Sequence, residues 1–134
     1  MMSLTGGCHC GRLRYVVTGE LVEAGYCHCN ICRRTTGAPV LAFASFAVEG
    51  FSYSQGQPAV YLSSSRGQRE YCASCGTQIC HRALAPVTID INTGTLDKPE
   101  MAPPQFHIHV QEALSWLLTD DGLPRYQQGR MSGG

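Results

Sequence analysis

Seven of the eight cysteines stand in three tight groups: C-x-C at Cys8 and Cys10, C-x-C-x-x-C at Cys27, Cys29 and Cys32, and C-x-x-C-G at Cys72, Cys75 and Gly76. Nothing else in the chain limits the fold so strongly. Cysteines two or three positions apart seldom crosslink to each other without strain, yet they close readily on one ion. The start, MMSLTGG, has neither the basic nor the apolar region of an export signal, so a cytoplasmic, reducing location is expected. There, clustered thiols bind metal rather than pair as disulfides.

A structural zinc takes four ligands, and the groups divide accordingly. In an extended segment Cys8 and Cys10 point to the same side and grip one ion as a pair. Cys72 and Cys75 form a knuckle whose turn suits the positive φ of Gly76. Joined, Cys8, Cys10, Cys72 and Cys75 make a structural zinc site closing a loop of about sixty residues, so that metal affinity becomes folding free energy.

Cys27, Cys29 and Cys32 remain as a set of three, the pattern of a reactive zinc with an open fourth position. Three thiolates on a dication leave the centre near −1, a poor Lewis acid towards a carbonyl but one suited to holding an exogenous thiol as thiolate. Arg33 and Arg34 follow directly; they either offset that charge and receive an anionic thiol's carboxylates, or face solvent. Alternatively His28, His81, His107, His109 or Cys80 supplies a fourth ligand and makes the second site structural too. His28, between two ligands, should point away from their shared side. His107 and His109 share one face of a FHIHV strand, where they either line a pocket or are simply hydrogen-bonded. Cys80 reads as a small buried apolar residue on the strand after the knuckle.

The rest of the chain is short strands with Gly, Ser and Pro punctuation. RLRYVVTG alternates, with Leu13, Tyr15 and Val17 on one face. VLAFASFAV (Val40 to Val48) suits a strand buried on both sides. AVYLS (Ala59 to Ser63), VTIDIN (Val87 to Asn92) and FHIHV (Phe106 to Val110) are further strands. Helix is expected only after Cys29, through Asn30 to Thr36, and near Glu112 to Leu118. The fold expected is therefore one all-β domain over residues 1–134, its core about 5–126, with Met1–Leu4 and Gln127–Gly134 frayed. Lys and Arg total 10 against 10 Asp and Glu, without the basic excess of a nucleic-acid binder, and no apolar run reaches a membrane span.

Six motifs occur in order: GGCHCG, YCHCNICRRTTG, YCASCGTQI, NTGTLD, HIHV and DDGLPRY. Together they resemble the glutathione-dependent formaldehyde-activating enzyme family, which includes centromere protein V, from about Thr5 to Tyr126. The resemblance implies a zinc-stapled fold of twisted antiparallel sheets, shared with a small family of guanine-nucleotide-release accessory proteins. It implies a structural zinc on Cys8, Cys10, Cys72 and Cys75 and a catalytic zinc on Cys27, Cys29 and Cys32. The activity implied is condensation of formaldehyde with glutathione to S-hydroxymethylglutathione, a carbon–sulfur lyase reaction in reverse. The chain departs from the family pattern at Cys80, usually apolar or aromatic there, and at His109, often aromatic.

The expectation is a two-zinc carbon–sulfur lyase-type enzyme acting on a small thiol and a small aldehyde, with Arg33, Arg34 and His107 as substrate contacts and water or His107 as proton donor. Its rivals are a non-catalytic zinc-stabilised binding module and a redox or metal-relay site built on the trio.

Overall fold

The alternation of RLRYVVTG has a direct structural counterpart: Leu13, Tyr15 and Val17 are buried, while Arg14 turns outward to pair with Asp97. The computed structural model describes residues 2–117 and 119–130. Its first strands are β1 (Met2–Gly7), β2 (Arg14–Gly19) and β3 (Glu23–Cys27), followed by helix α1 (Asn30–Thr36) and β4 (Leu41–Ala47). Then come β5 (Phe51–Gln55), β6 (Ala59–Ser64), β7 (Gly67–Tyr71), β8 (Gln78–Ala83), β9 (Thr88–Asn92) and the two-residue β10 (His107–Ile108).

The strands form a three-stranded sheet, β1-β2-β5, and a seven-stranded sheet, β10-β3-β4-β9-β8-β7-β6. All pairings are antiparallel except β10 with β3, a parallel contact within sheets expected to be wholly antiparallel. The small sheet lays Leu4, Tyr15, Val17 and Phe51 against Phe46, Ile79, Ile89 and Ile91 of the large one. Each such side chain contributes about 1.5–3 kcal/mol on burial, which makes this layer the principal source of cohesion. On β4, Phe43, Ala44, Ser45 and Phe46 are all buried, because Ala44 and Phe46 face that core while Phe43 lies in a second apolar cluster with Cys27, Cys32 and Phe106. The centre of β4 is therefore covered on both faces, whereas β6 at the sheet's edge stays largely exposed.

NTGTLD and DDGLPRY act as clamps on this frame. Thr95 exchanges a hydrogen bond with the Tyr15 hydroxyl at 2.8 Å, and Asp97 accepts from Thr5 at 2.7 Å and from Arg14. Asp121 accepts from Leu123 N at 3.1 Å and faces His107, and Tyr126 packs beside Phe106.

Four local expectations are corrected. The N-terminus is not frayed from Met2 onward: β1 pairs with β2 along its length and buries Leu4. Gln127–Arg130 is also tied down, since Arg130 pairs with Glu23 at 3.0 Å and lies 4.8 Å from the centre of the Phe106 ring. Met1 and residues 131–134 lie outside the described residues. The helix expected near Glu112 to Leu118 is a single 3₁₀ turn, Val110–Glu112; Leu118 itself lies outside the described residues. Trp116 is exposed there, so the segment has no buried apolar face of the kind that stabilises a short helix. FHIHV is a strand only at His107–Ile108, because His109 adopts φ +56 and leaves the extended conformation.

Candidate metal centres and the adjoining cleft

Cys8 and Cys10 meet through a turn rather than an extended pair: Gly11 N donates to Cys8 O at 3.2 Å, with Gly11 at φ +83. The C-x-x-C-G knuckle closes a turn one residue longer, with Gly76 N donating to Cys72 O at 2.7 Å and Gly76 also at φ +83. A β-carbon would strain either glycine at that φ. His9 N donates to Thr77 Oγ1 at 3.1 Å, joining the two knuckles edge to edge.

The sulfurs of Cys8, Cys10, Cys72 and Cys75 lie within 4.8 Å of one another. Cys10 is 3.6 Å from Cys8 and 3.8 Å from Cys72. Four thiolates at zinc–sulfur distances of about 2.3 Å occupy a tetrahedron with edges of about 3.8 Å, so this quartet fits zinc. The Thr77 hydroxyl and nearby backbone N–H groups draw the Cys75 thiol down to about 5, favouring the thiolate a metal requires.

The trio is built differently. Cys27 ends β3 and Cys32 sits in the first turn of α1, their sulfurs 3.3 Å apart. Cys29 caps the helix by accepting from Cys32 N at 3.3 Å. Thiols of Cys27 and Cys32 aimed at Cys29 hold it well below the ordinary thiol range, while the same contacts with Cys29 and Cys32, then burial, push Cys27 up. The three sulfurs lie within 4.8 Å of one another, and among the described residues no fourth His, Cys, Asp or Glu ligand joins them. This donor set suits a thiophilic metal with one position left to a ligand.

The histidines and Cys80 considered as a fourth ligand have other partners or places. His28 Nε2 lies 2.9 Å from His107 Nδ1, whose ring continues through Nε2 to Asp121 at 2.9 Å. Both rings are buried, and Tyr26 stacks on His107 at 4.8 Å. Burial holds His28 below its ordinary range. Cys80 is buried, as expected, but in polar company: its sulfur is 3.5 Å from Glu70 and 3.7 Å from the Tyr53 hydroxyl. Burial, then the Glu70 charge, pushes it up to about 12. His81 faces Asp90 at 3.7 Å, and His109 lies on the cleft wall.

That cleft, of about 330 Å³, opens over the trio on the outer face of the large sheet. Cys27, Cys29 and Cys32 line it beside Leu41, Phe43 and Ile108. A polar row crosses the sheet floor through directly paired positions: Glu23 with Ser45, Ser45 with Asp90, Asp90 with His81, His81 with Arg69. Arg69 brings its guanidinium to 3.6 Å from Cys32 Sγ. Arg130 lines the far side, held by Glu23.

Arg33, Arg34 and His107, expected as substrate contacts, are not part of this lining. The two arginines sit in the later part of α1, and His107 is wholly buried. Arg69, His81, Asp90 and Arg130 are among the polar residues that do line it. The alternation of VTIDIN pointed to the face Asp90 occupies, but strand pairing is needed to bring Arg69 from β7 beside Cys32.

The chain matches the family model for glutathione-dependent formaldehyde-activating enzyme over residues 3–112. A Halomonas elongata protein with the provisional name glutathione-dependent formaldehyde-activating enzyme is 25% identical over 126 residues, covering 87% of this chain and 80% of that protein. An uncharacterised lyase of Schizosaccharomyces pombe is 29% identical over 79 residues, covering 59% of this chain and 57% of its own length. The crystal structure of a Rhodobacter sphaeroides protein shares the fold at a TM-score of 0.59 and 20% identity, covering 92% of this chain and 99% of that one. Among the described residues no helix is long and apolar enough to cross a membrane.

Proposed function

The chain belongs to the glutathione-dependent formaldehyde-activating enzyme family, and on that premise we propose that it is a zinc-dependent carbon–sulfur lyase-type enzyme joining a glutathione-like thiol to formaldehyde or a similarly small aldehyde. The observation that carries this reading is the three-sulfur cluster without a fourth protein ligand among the described residues, opening on a cleft large enough for a tripeptide-sized thiol. Cys27, Cys29 and Cys32 would hold the zinc ion, which when bound would supply the positive charge that keeps an incoming thiol as thiolate.

The chain's own residues do the rest. Leu41, Phe43 and Ile108 give the cleft an apolar wall that keeps water from the reacting sulfur. Arg69 adds a cation beside Cys32, which favours anionic sulfur there. Glu23, Asp90, His81 and Arg130 supply polar positions for the peptide part of a thiol. Cys8, Cys10, Cys72 and Cys75 are the structural zinc ligands and lock the ends of β1 and β7 in place. His107 stays away from the reaction and fixes β10 against His28 and Asp121.

Exchange of formaldehyde between free and glutathione-bound forms, followed by proton exchange spectroscopy, tests the function. The rate should rise in proportion to zinc-loaded protein and return to the uncatalysed value with Cys29→Ala or Cys32→Ala. A wild-type protein that retains metal at the trio and leaves the rate unchanged contradicts the proposal.

A further inference from the structure

Arg69 is a buried guanidinium with very few partners. It is 6% exposed, yet its polar contacts are Ser63 Oγ at 3.4 Å from Nε and Cys32 Sγ at 3.6 Å from Nη2. Among the described residues no carboxylate pairs with it. The cleft's acids are engaged elsewhere, Glu23 with Arg130 and Asp90 with Ser45 and His81. A guanidinium carries five N–H donors in a planar fork, and a buried one left without an anion is costly. Arg69 therefore lines the cleft as a cation with donors to spare, beside the sulfurs at which a thiol would be seated.

Resting on the function proposed above, we propose that Arg69 is the oxyanion-binding catalytic residue of this site. Its free N–H groups hold the oxygen that becomes negative when a thiolate at the trio adds to an aldehyde. The thiol proton leaves to solvent and the sulfur lone pair forms the new carbon–sulfur bond. The π pair of the carbonyl moves onto oxygen, which then takes a proton from solvent as the hydroxyl forms. No oxidant or reductant is needed. An oxygen one carbon from a sulfur seated beside Cys32 falls within the reach of this guanidinium. Arginine suits the role because it stays charged and donates in parallel to an anionic oxygen. His81, on the neighbouring strand position, lies between Arg69 and Asp90, so the Asp90 charge is separated from Arg69 by a full strand.

Thioglycolate and 2-mercaptoethanol test this on the zinc-loaded protein. Both offer a sulfur with oxygen two carbons away, one atom further than in the adduct, but that oxygen is anionic in thioglycolate and neutral in 2-mercaptoethanol, so the pair isolates the charge. By titration calorimetry the wild type should prefer thioglycolate by about 10-fold or more, as expected for a desolvated charge-assisted contact. Arg69→Gln should bring the two within about 2-fold, and Arg69→Lys should keep part of the preference. Turnover separates the oxyanion from the thiol's own carboxylates: Arg69→Gln should lower kcat by about 100-fold with the thiol KM nearly unchanged. Equal affinities in the wild type overturn the proposal, as does a preference surviving in Arg69→Gln or a raised KM with kcat intact. If neither thiol binds the wild type, the proposed function falls and this inference falls with it; if both bind equally, the inference alone fails.

Discussion

Cys10 and Cys75 are both exposed, one on each side of the quartet, so replacing the pair by alanine removes two ligands with little loss of packing. What is lost is the closure of the chain between the knuckles, Cys10 and Cys72 being 62 positions apart. On the chain-entropy account a crosslink over a loop of that size is worth about 4 kcal/mol. With an unfolding entropy of about 2.1 cal/mol/K per residue, the 134-residue chain loses about 0.28 kcal/mol for each kelvin near its midpoint. The Cys10→Ala/Cys75→Ala variant should therefore melt about 14 °C below the wild type when both carry saturating zinc. Cys29→Ala is the internal control. The trio spans only positions 27 to 32 and closes no long loop, so its loss should cost about 1 kcal/mol for the helix cap and lower Tm by about 4 °C. Calorimetric melts of the three proteins, with and without chelator, read both effects. A double variant melting within about 4 °C of the wild type, or a chelator shift of equal size in the two, refutes the reasoning.

Three other perturbations probe separate parts of the account. Glu70 is buried and accepts from Tyr53 at 2.7 Å, Gln68 at 2.8 Å and Arg82 at 3.1 Å; burial alone would raise its carboxyl, but these donors carry it below the usual 4.5. Its contribution is therefore complete above about pH 4.5 and lost as pH falls through the lower folded value, so Glu70→Gln should cost about 3–5 kcal/mol at neutral pH and flatten the acid limb, checked by urea unfolding across pH. At Gly25 a β-carbon would meet Phe106 Cε1 at 2.5 Å, beneath the trio. Gly25→Val should cost about 1–3 kcal/mol and weaken metal retention at the trio while sparing the quartet, read by metal analysis during chelator challenge. His107→Phe strips the buried His28 Nε2 of its partner and should cost about 1–3 kcal/mol, with faster amide exchange at Tyr26 and His28, whose N–H groups dock on the β10 segment.

Elements whose physics is local were readable from the chain. Alternation placed Leu13, Tyr15 and Val17 in the core, and the continuous run in β4 matched a strand covered on both faces. The expected span of α1, Asn30 to Thr36, is the observed one, because Cys29 caps its start and Gly37 at φ +70 ends it. Sulfur spacing was equally local, so the two clusters form with the members expected. What spacing could not give was set by tertiary partners. Met2–Leu4 carries no strong strand signal and is held by pairing with β2. His107 and His109 looked equivalent by alternation until the left-handed backbone at His109 sent one into the core and left the other on the cleft wall. Arg33 and Arg34 adjoin the trio in sequence, yet the guanidinium beside Cys32 comes from Arg69, 37 positions away and brought there by the β7–β8–β9 ladder. Nearness in sequence pointed to Arg33 and Arg34, whereas the cation lining the cleft beside Cys32 is Arg69, because a helix carries its later residues away from the ligands at its start.

Optical spectroscopy of protein with zinc in the quartet and cobalt(II) at the trio asks directly whether the second centre accepts an outside sulfur. Adding glutathione should raise the thiolate-to-cobalt charge-transfer band by about a third, as three sulfurs become four, with ligand-field bands typical of a tetrahedral site. A spectrum that already reads as four protein ligands and does not change on adding glutathione contradicts the account.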